Sequence, residues 1–201
     1  MNERVAKADL VALDAQAVRA SVELASRVRP ADLSRPTPCL GWTVSDLLAH
    51  MAAQHYGFAA AARGDGDLDR WRLRSLGDDV VAGYQDAAEH VLEAFAADGV
   101  LERSFPLPEL ARGIAFPGRQ AVSFHFIDYV VHSWDLAKAL GGAVEFPPDL
   151  LEVALDVARA VPDGETRRAP GSVFAPALAW EGGSRLDQIV AILGRSPRWP
   201  G

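Results

Sequence analysis

Asp128 and His132 stand four residues apart in a stretch whose apolar positions follow a helical period. On a helix that spacing puts the two side chains about 40° apart in azimuth and about 6 Å apart in rise, near enough to share one ion. A carboxylate oxygen and an imidazole nitrogen suit a borderline divalent cation such as zinc. Two ligands do not make a site, and an Asp/His pair at this spacing arises often by chance. The third candidate is His50, on the face of an earlier helical segment that also carries Leu47 and Met51. An antiparallel bundle would turn that face toward the segment holding Asp128. On spacing alone two readings of His50 stay open, a metal ligand or a partly buried histidine bonded to a carbonyl.

Neighbouring residues extend or compete with this set. His125 lies nearly on the stripe of Asp128 and His132, but about 10 Å of rise from His132 is too long for both to bind one ion, so it is expected outside the ligand set. Asp135, three residues after His132, could accept a hydrogen bond from the other ring nitrogen, as metal-bound histidines usually require; the alternative is a solvated charge near the helix end. Cys39 has no identifiable base beside it and reads as structural. Arg35, Arg112 and Arg119 flank the ligand-bearing segments and could hold a substrate carboxylate in a bidentate fork, or simply be surface arginines. Trp42 and Trp134 read as staple and core residues.

The elements that must position these groups are legible from periodicity. Residues 5–28 carry Leu10, Leu13, Ala17, Val18, Val22 and Ala25 at helical spacing. Pro30, Pro36, Pro38 and Gly41 then force a non-helical connection. Thr43, with Asp46 three residues on, forms a capping box flanked by Trp42 and Leu47 at the staple positions, so a second helix starts at Val44 and runs to about Ala62. A loop over 63–69 precedes a third helix over 76–97. Short apolar pieces broken by prolines predict a hairpin pairing 104–107 with 114–116. Residues 119–140 form the most apolar helix, hence the central one, stopped by Gly141 and Gly142. Pro147 and Pro148 open a fifth helix, 162–181 is a loop, and 184–193 a short last helix. The expectation is an all-α four-helix bundle with a small hairpin, built as one domain over 1–201: a core bundle over 1–142 and a C-terminal extension over 143–201 packed on it.

Composition narrows the function classes. The 201 residues are 49% hydrophobic and 23% charged with a net charge of -7, a globular composition with no basic stripe to neutralise successive phosphates, so nucleic acid is not an expected partner. No apolar run is long enough to span a bilayer, and residues 1–9 do not read as an export signal. A single cysteine fits a reducing compartment, which makes the cytoplasm the expected location. A homodimer through exposed helix faces is compatible with such a bundle.

The segment from Pro36 to His50, PTPCLGWTVSDLLAH, together with Asp128 to Ala137, DYVVHSWDLA, and the ending that starts at Leu186, LDQIVAILGRSP, resembles the actinobacterial DinB-like metal-binding family related to mycothiol-dependent maleylpyruvate isomerases, over nearly the whole chain. The resemblance implies a DinB-like four-helix bundle in which His50, Asp128 and His132 ligate one divalent metal. The isomerase proper carries Glu at the Asp128 position, which sets this chain nearer the metal-binding branch. It further implies a metal-dependent transferase or isomerase, with mycothiol as thiol co-substrate and a small electrophile as substrate. Two other functions are compatible with the same ligands: a metal-binding protein without catalysis, and a metal-dependent hydrolase that needs no thiol.

Overall fold

The computed structural model describes residues 3–169 and 172–200. The first helical stretch is two helices, not one: α1 (Glu3–Lys7) and α2 (Leu10–Ala25) are separated at Asp9, whose backbone leaves the helical region and whose carboxylate accepts the Ala12 N–H at 3.1 Å. The periodicity runs through that break because both helices bury the same side of the chain, so spacing alone does not reveal the cap. α3 (Val44–Ala62) begins where the capping box places it: Asp46 N–H donates to Thr43 Oγ1 at 3.2 Å and Thr43 N–H to Asp46 Oδ2 at 2.9 Å. α4 (Val80–Phe95) starts four residues later than the apolar pattern predicts, because Asp79 accepts the Ala82 N–H and fixes the boundary.

The predicted hairpin forms with slightly shifted ends. β1 (Ser104–Pro106) pairs antiparallel with β2 (Ala115–Pro117), Phe105 opposite Phe116. β2 leads into α5 (Gly118–Ala139), which is buried on most of its circumference, including Val122, Phe126, Ile127, Val130, Val131 and Leu136. Gly141, at φ 78°, lets the chain leave that helix, with Gly142 N–H returning to Ala137 C=O at 2.8 Å. α6 (Pro148–Ala160) packs on α5 and α1, and α7 (Arg185–Ile192), capped by a second box from Ser184 and Asp187, packs on α6. Between α6 and α7 the expected loop over 162–181 contains one tight turn and is pinned by the buried Arg167, which donates to Ile192 C=O at 2.7 Å; its residues 170–171 lie outside the described ones.

Four helices close a bundle. α2 packs on α4 and α5, and α3 packs on α4 and α5. Side-chain contacts fix the directions: His55 meets His125, and the Tyr129 hydroxyl donates to Met51 C=O, so α3 descends as α5 ascends. Asp14 meets His125 while Arg119 reaches Val5 and Ala8 C=O, so α2 runs parallel to α5. One close approach limits substitution on α3: a Cβ on Gly57 would lie 2.2 Å from the Trp71 ring. Replacing Thr43 by Ala removes the α3 cap and should lower the unfolding free energy by about 1 kcal/mol, read as a shift of the urea midpoint at unchanged slope.

Candidate metal centre

His50 sits in the second turn of α3, Asp128 and His132 in the middle of α5. Because these helices are antiparallel and register Met51 against Tyr129, all three residues reach one level of the bundle, and one ligand atom from each lies within 4.8 Å of the others. His132 Nε2 is 3.4 Å from Asp128 Oδ1. Two ligands held at 2.0–2.1 Å by one tetrahedral ion are about 3.3 Å apart, so this pair already has the separation of two ligands on one cation. The His50 and His132 rings meet edge to face with centroids 5.3 Å apart, and Trp42 packs on the other side of His50 at 4.8 Å. Trp42, partly buried against the core, thus braces a candidate ligand.

The orientation of His132 is set from behind. Its Nδ1 lies 3.0 Å from Asp135 Oδ2, which assigns the proton to Nδ1 and leaves Nε2 facing Asp128 and His50. Asp135 is fully buried, so the reading of it as a solvated charge does not hold. It is held there by Arg195, whose Nη2 lies 3.3 Å from the same oxygen, and Cys39 Sγ donates to it at 3.2 Å. Burial opposes a charge on Asp135, but Arg195 and His132 overcome this and hold its carboxyl below the usual range. His50 is pushed down to about 4, first by burial and then by the nearby His132, which keeps its imidazole neutral and able to coordinate near neutral pH. Burial also works against a charge on His132, yet Asp128 and the Asp135 hydrogen bond prevail and raise it well above its ordinary value. In this arrangement a positive charge between His132 and Asp128 is stabilised, which is the electrostatic condition a cation site must meet. Two imidazoles and a carboxylate, one imidazole oriented through its second nitrogen, fit a borderline divalent metal.

His125 lies outside that set, as expected, but neither at the surface nor behind the ligands. It is fully buried one level lower, its Nδ1 2.6 Å from Asp14 Oδ1 and its Nε2 3.2 Å from His55 Nδ1. The Tyr129 ring stacks on both imidazoles at 4.1 and 4.2 Å. The sequence reading missed Asp14, although a polar residue among Leu10, Leu13, Ala17 and Val18 on an apolar face was the available signal. It missed Arg195 and the approach of Cys39 because their contacts close only through tertiary packing. Of the arginines, Arg119 spends its guanidinium on Val5 and Ala8 C=O, Arg35 pairs with Asp32 at 3.3 Å, and Arg112 is exposed on the hairpin. None of the three meets the ligand cluster in the contacts formed.

A helical bundle that gathers two imidazoles and a carboxylate from two facing, antiparallel helices has the architecture of the DinB-like class. Within that class the chain belongs to the mycothiol maleylpyruvate isomerase N-terminal domain family, whose model matches residues 15–137. Two Mycobacterium tuberculosis proteins, Uncharacterized protein Rv0738 of strain H37Rv and Uncharacterized protein MT0763 of strain CDC 1551, are each 33% identical over 181 residues, covering 87% of this chain and 91% of theirs. The crystal structure of the mycothiol-dependent maleylpyruvate isomerase superposes with a TM-score of 0.65 at 17% identity, over 94% of this chain and 90% of that one. A histidine-to-alanine mutant of that isomerase superposes with a TM-score of 0.63 at 15% identity, covering 92% and 87%. Among the described residues no helix is long and apolar enough to cross a membrane.

The lower polar cluster should be visible in the acid stability of the metal-free protein. His55 is held well below its ordinary value, first by burial and then by His125, so below pH about 6.5 the unfolded chain takes up a proton that the folded chain refuses, and stability falls with falling pH. His50 adds to this loss down to about 4. Asp14, raised by burial against the pull of His125, acts oppositely, its cost being relieved as it protonates, and so does His132, raised above its ordinary value chiefly by Asp128 against burial. Between pH 7 and pH 5 the urea midpoint of wild type should therefore lose more, or gain less, than that of His55→Gln; parallel slopes would refute the assignment.

Proposed function

We propose that this chain is a metal-dependent enzyme that activates a low-molecular-weight thiol, mycothiol, for S-transfer to a small electrophile or for thiol-assisted isomerisation of one. His50, Asp128 and His132 are the ligands of a divalent ion, zinc by the chemistry of the donor set, with mycothiol and the electrophile as small-molecule partners in the cytoplasm. The observation that carries the reading is the ligand count: three protein ligands leave a coordination position open, the arrangement of a catalytic and not of a structural zinc site. The family to which the chain belongs points the same way. A divalent ion in this position lowers the pKa of a thiol brought to it and so supplies thiolate near neutral pH.

The remaining work falls to the chain's own residues. Asp135 keeps the His132 proton on Nδ1, so that Nε2 presents a lone pair. Arg195 neutralises Asp135 and so stops that carboxylate from taking the His132 proton outright. Trp42 limits the tilt of His50 and shields one side of it from water. The bundle itself extends as a single unit from the core over 1–142 to the covering segment over 143–201, which contributes Arg195.

Two experiments test this. Zinc-loaded protein mixed with mycothiol and a generic electrophile should give a metal-dependent rate that His50→Ala abolishes; a rate that needs metal but no thiol would favour the hydrolase, and no rate with tightly bound zinc the non-catalytic protein. Asp135→Asn should weaken zinc binding by about 10- to 100-fold, measured by chelator competition on folded protein.

A further inference from the structure

The β1–β2 hairpin reaches both helices that carry the candidate ligands at one level. From its loop, Glu109 Oε2 accepts a hydrogen bond from Gln54 Nε2 at 2.8 Å. From β2, Phe116 packs edge to face on Phe124 with centroids 5.7 Å apart. Gln54 is one turn beyond His50 on α3, and Phe124 is one turn before Asp128 on α5; on antiparallel helices these are the same level, about 6 Å from the ligands along the bundle axis. The hairpin therefore bridges α3 and α5 about one helical turn from the candidate ligands.

The hairpin carries both polar and apolar groups at this level. Gln54 is almost fully buried, and a buried amide needs its hydrogen bond. Glu109 is exposed and makes no ion pair among the described residues, so its second oxygen can accept a further donor. Leu110 and Ile114, at 45% and 57% exposure, stay in solvent on the same loop. Nothing in the packing of the bundle requires a carboxylate here, since the loop is already anchored by the buried Leu107, whose carbonyl accepts the Leu110 and Ala111 N–H groups at 3.0 Å.

We propose that Glu109 and Gln54 are specificity-determining residues of the site, reading the hydroxyl- and amide-bearing body of a thiol whose sulfur lies at the metal one turn away. This rests on the thiol-activating reading above and adds the recognition element to it. A carboxylate accepts from hydroxyl and amide donors and an amide side chain both gives and accepts, so the pair selects a hydroxyl-rich thiol over a plain alkyl one and disfavours a thiol that presents a carboxylate at this position. The Phe116–Phe124 pair offers the apolar face against which such a body lies.

The test uses cobalt(II)-loaded full-length protein titrated with mycothiol or with ethanethiol, following the sulfur-to-cobalt absorption. Wild type should bind mycothiol more tightly than ethanethiol. Glu109→Ala and Gln54→Met should each weaken mycothiol by about tenfold, the loss of one charge-assisted hydrogen bond, and leave ethanethiol unchanged. Equal weakening of both thiols, or no change for either in both variants, overturns the recognition role while leaving thiol activation standing. Absence of the absorption with either thiol in wild type removes the thiol reading and this inference together.

Discussion

Everything at the candidate metal centre depends on the register of α3 against α5. The Tyr129 hydroxyl donates to the Met51 carbonyl, a contact one residue removed from Asp128 on one helix and from His50 on the other. Below it the Tyr129 ring lies against the imidazoles of His55 and His125, and His125 continues to Asp14 on α2. A slip of one helical turn, about 5.4 Å, would break all of these at once and carry His50 out of reach of the other two candidate ligands. Apolar packing alone tolerates such slips, because one leucine-lined groove resembles the next; a buried polar chain does not, since each misplaced donor or acceptor is left unpaired at roughly 1–3 kcal/mol.

The second constraint comes from the far end of the chain. Asp135 lies in the last turns of α5, where the helix dipole disfavours an acid, and it is fully buried. It remains charged because Arg195, just beyond α7, sits 3.3 Å away. The C-terminal segment is thus electrically part of the site: its guanidinium fixes the carboxylate that fixes the His132 tautomer. Folding of α6 and α7 onto the bundle and orientation of His132 are two descriptions of one packing event.

Much of the fold was readable from the sequence because its boundaries are chemical. The Thr43/Asp46 and Ser184/Asp187 boxes and the Gly141–Gly142 stop each satisfy specific backbone groups, and those helix ends lie where the residues put them. Boundaries set by a single aspartate inside a continuing apolar pattern, Asp9 and Asp79, were blurred, since periodicity reports which face is buried and not where a backbone leaves the helical region. The candidate ligands were legible for a different reason: the spacing of Asp128 and His132 constrains geometry within one helix, and the resemblance supplied His50. Asp14, Arg195 and Cys39 were not, because their partners lie on other elements at sequence separations that no local pattern encodes.

The two polar levels of α5 show how packing divides similar residues between support and chemistry. Each has a histidine whose Nδ1 meets a carboxylate, Asp14 at 2.6 Å or Asp135 at 3.0 Å, and each has a second histidine from α3 at a ring separation of 5.3 Å. At the lower level the two imidazoles are directly hydrogen-bonded at 3.2 Å, and both are fully buried. At the upper level His50 and His132 meet edge to face without bonding each other, Asp128 replaces the closing hydrogen bond, and its side chain keeps 15% of its surface exposed. The same residue types therefore form a buried strut where the rings bond to each other and a candidate coordination site where the rings meet edge to face beside a partly exposed carboxylate.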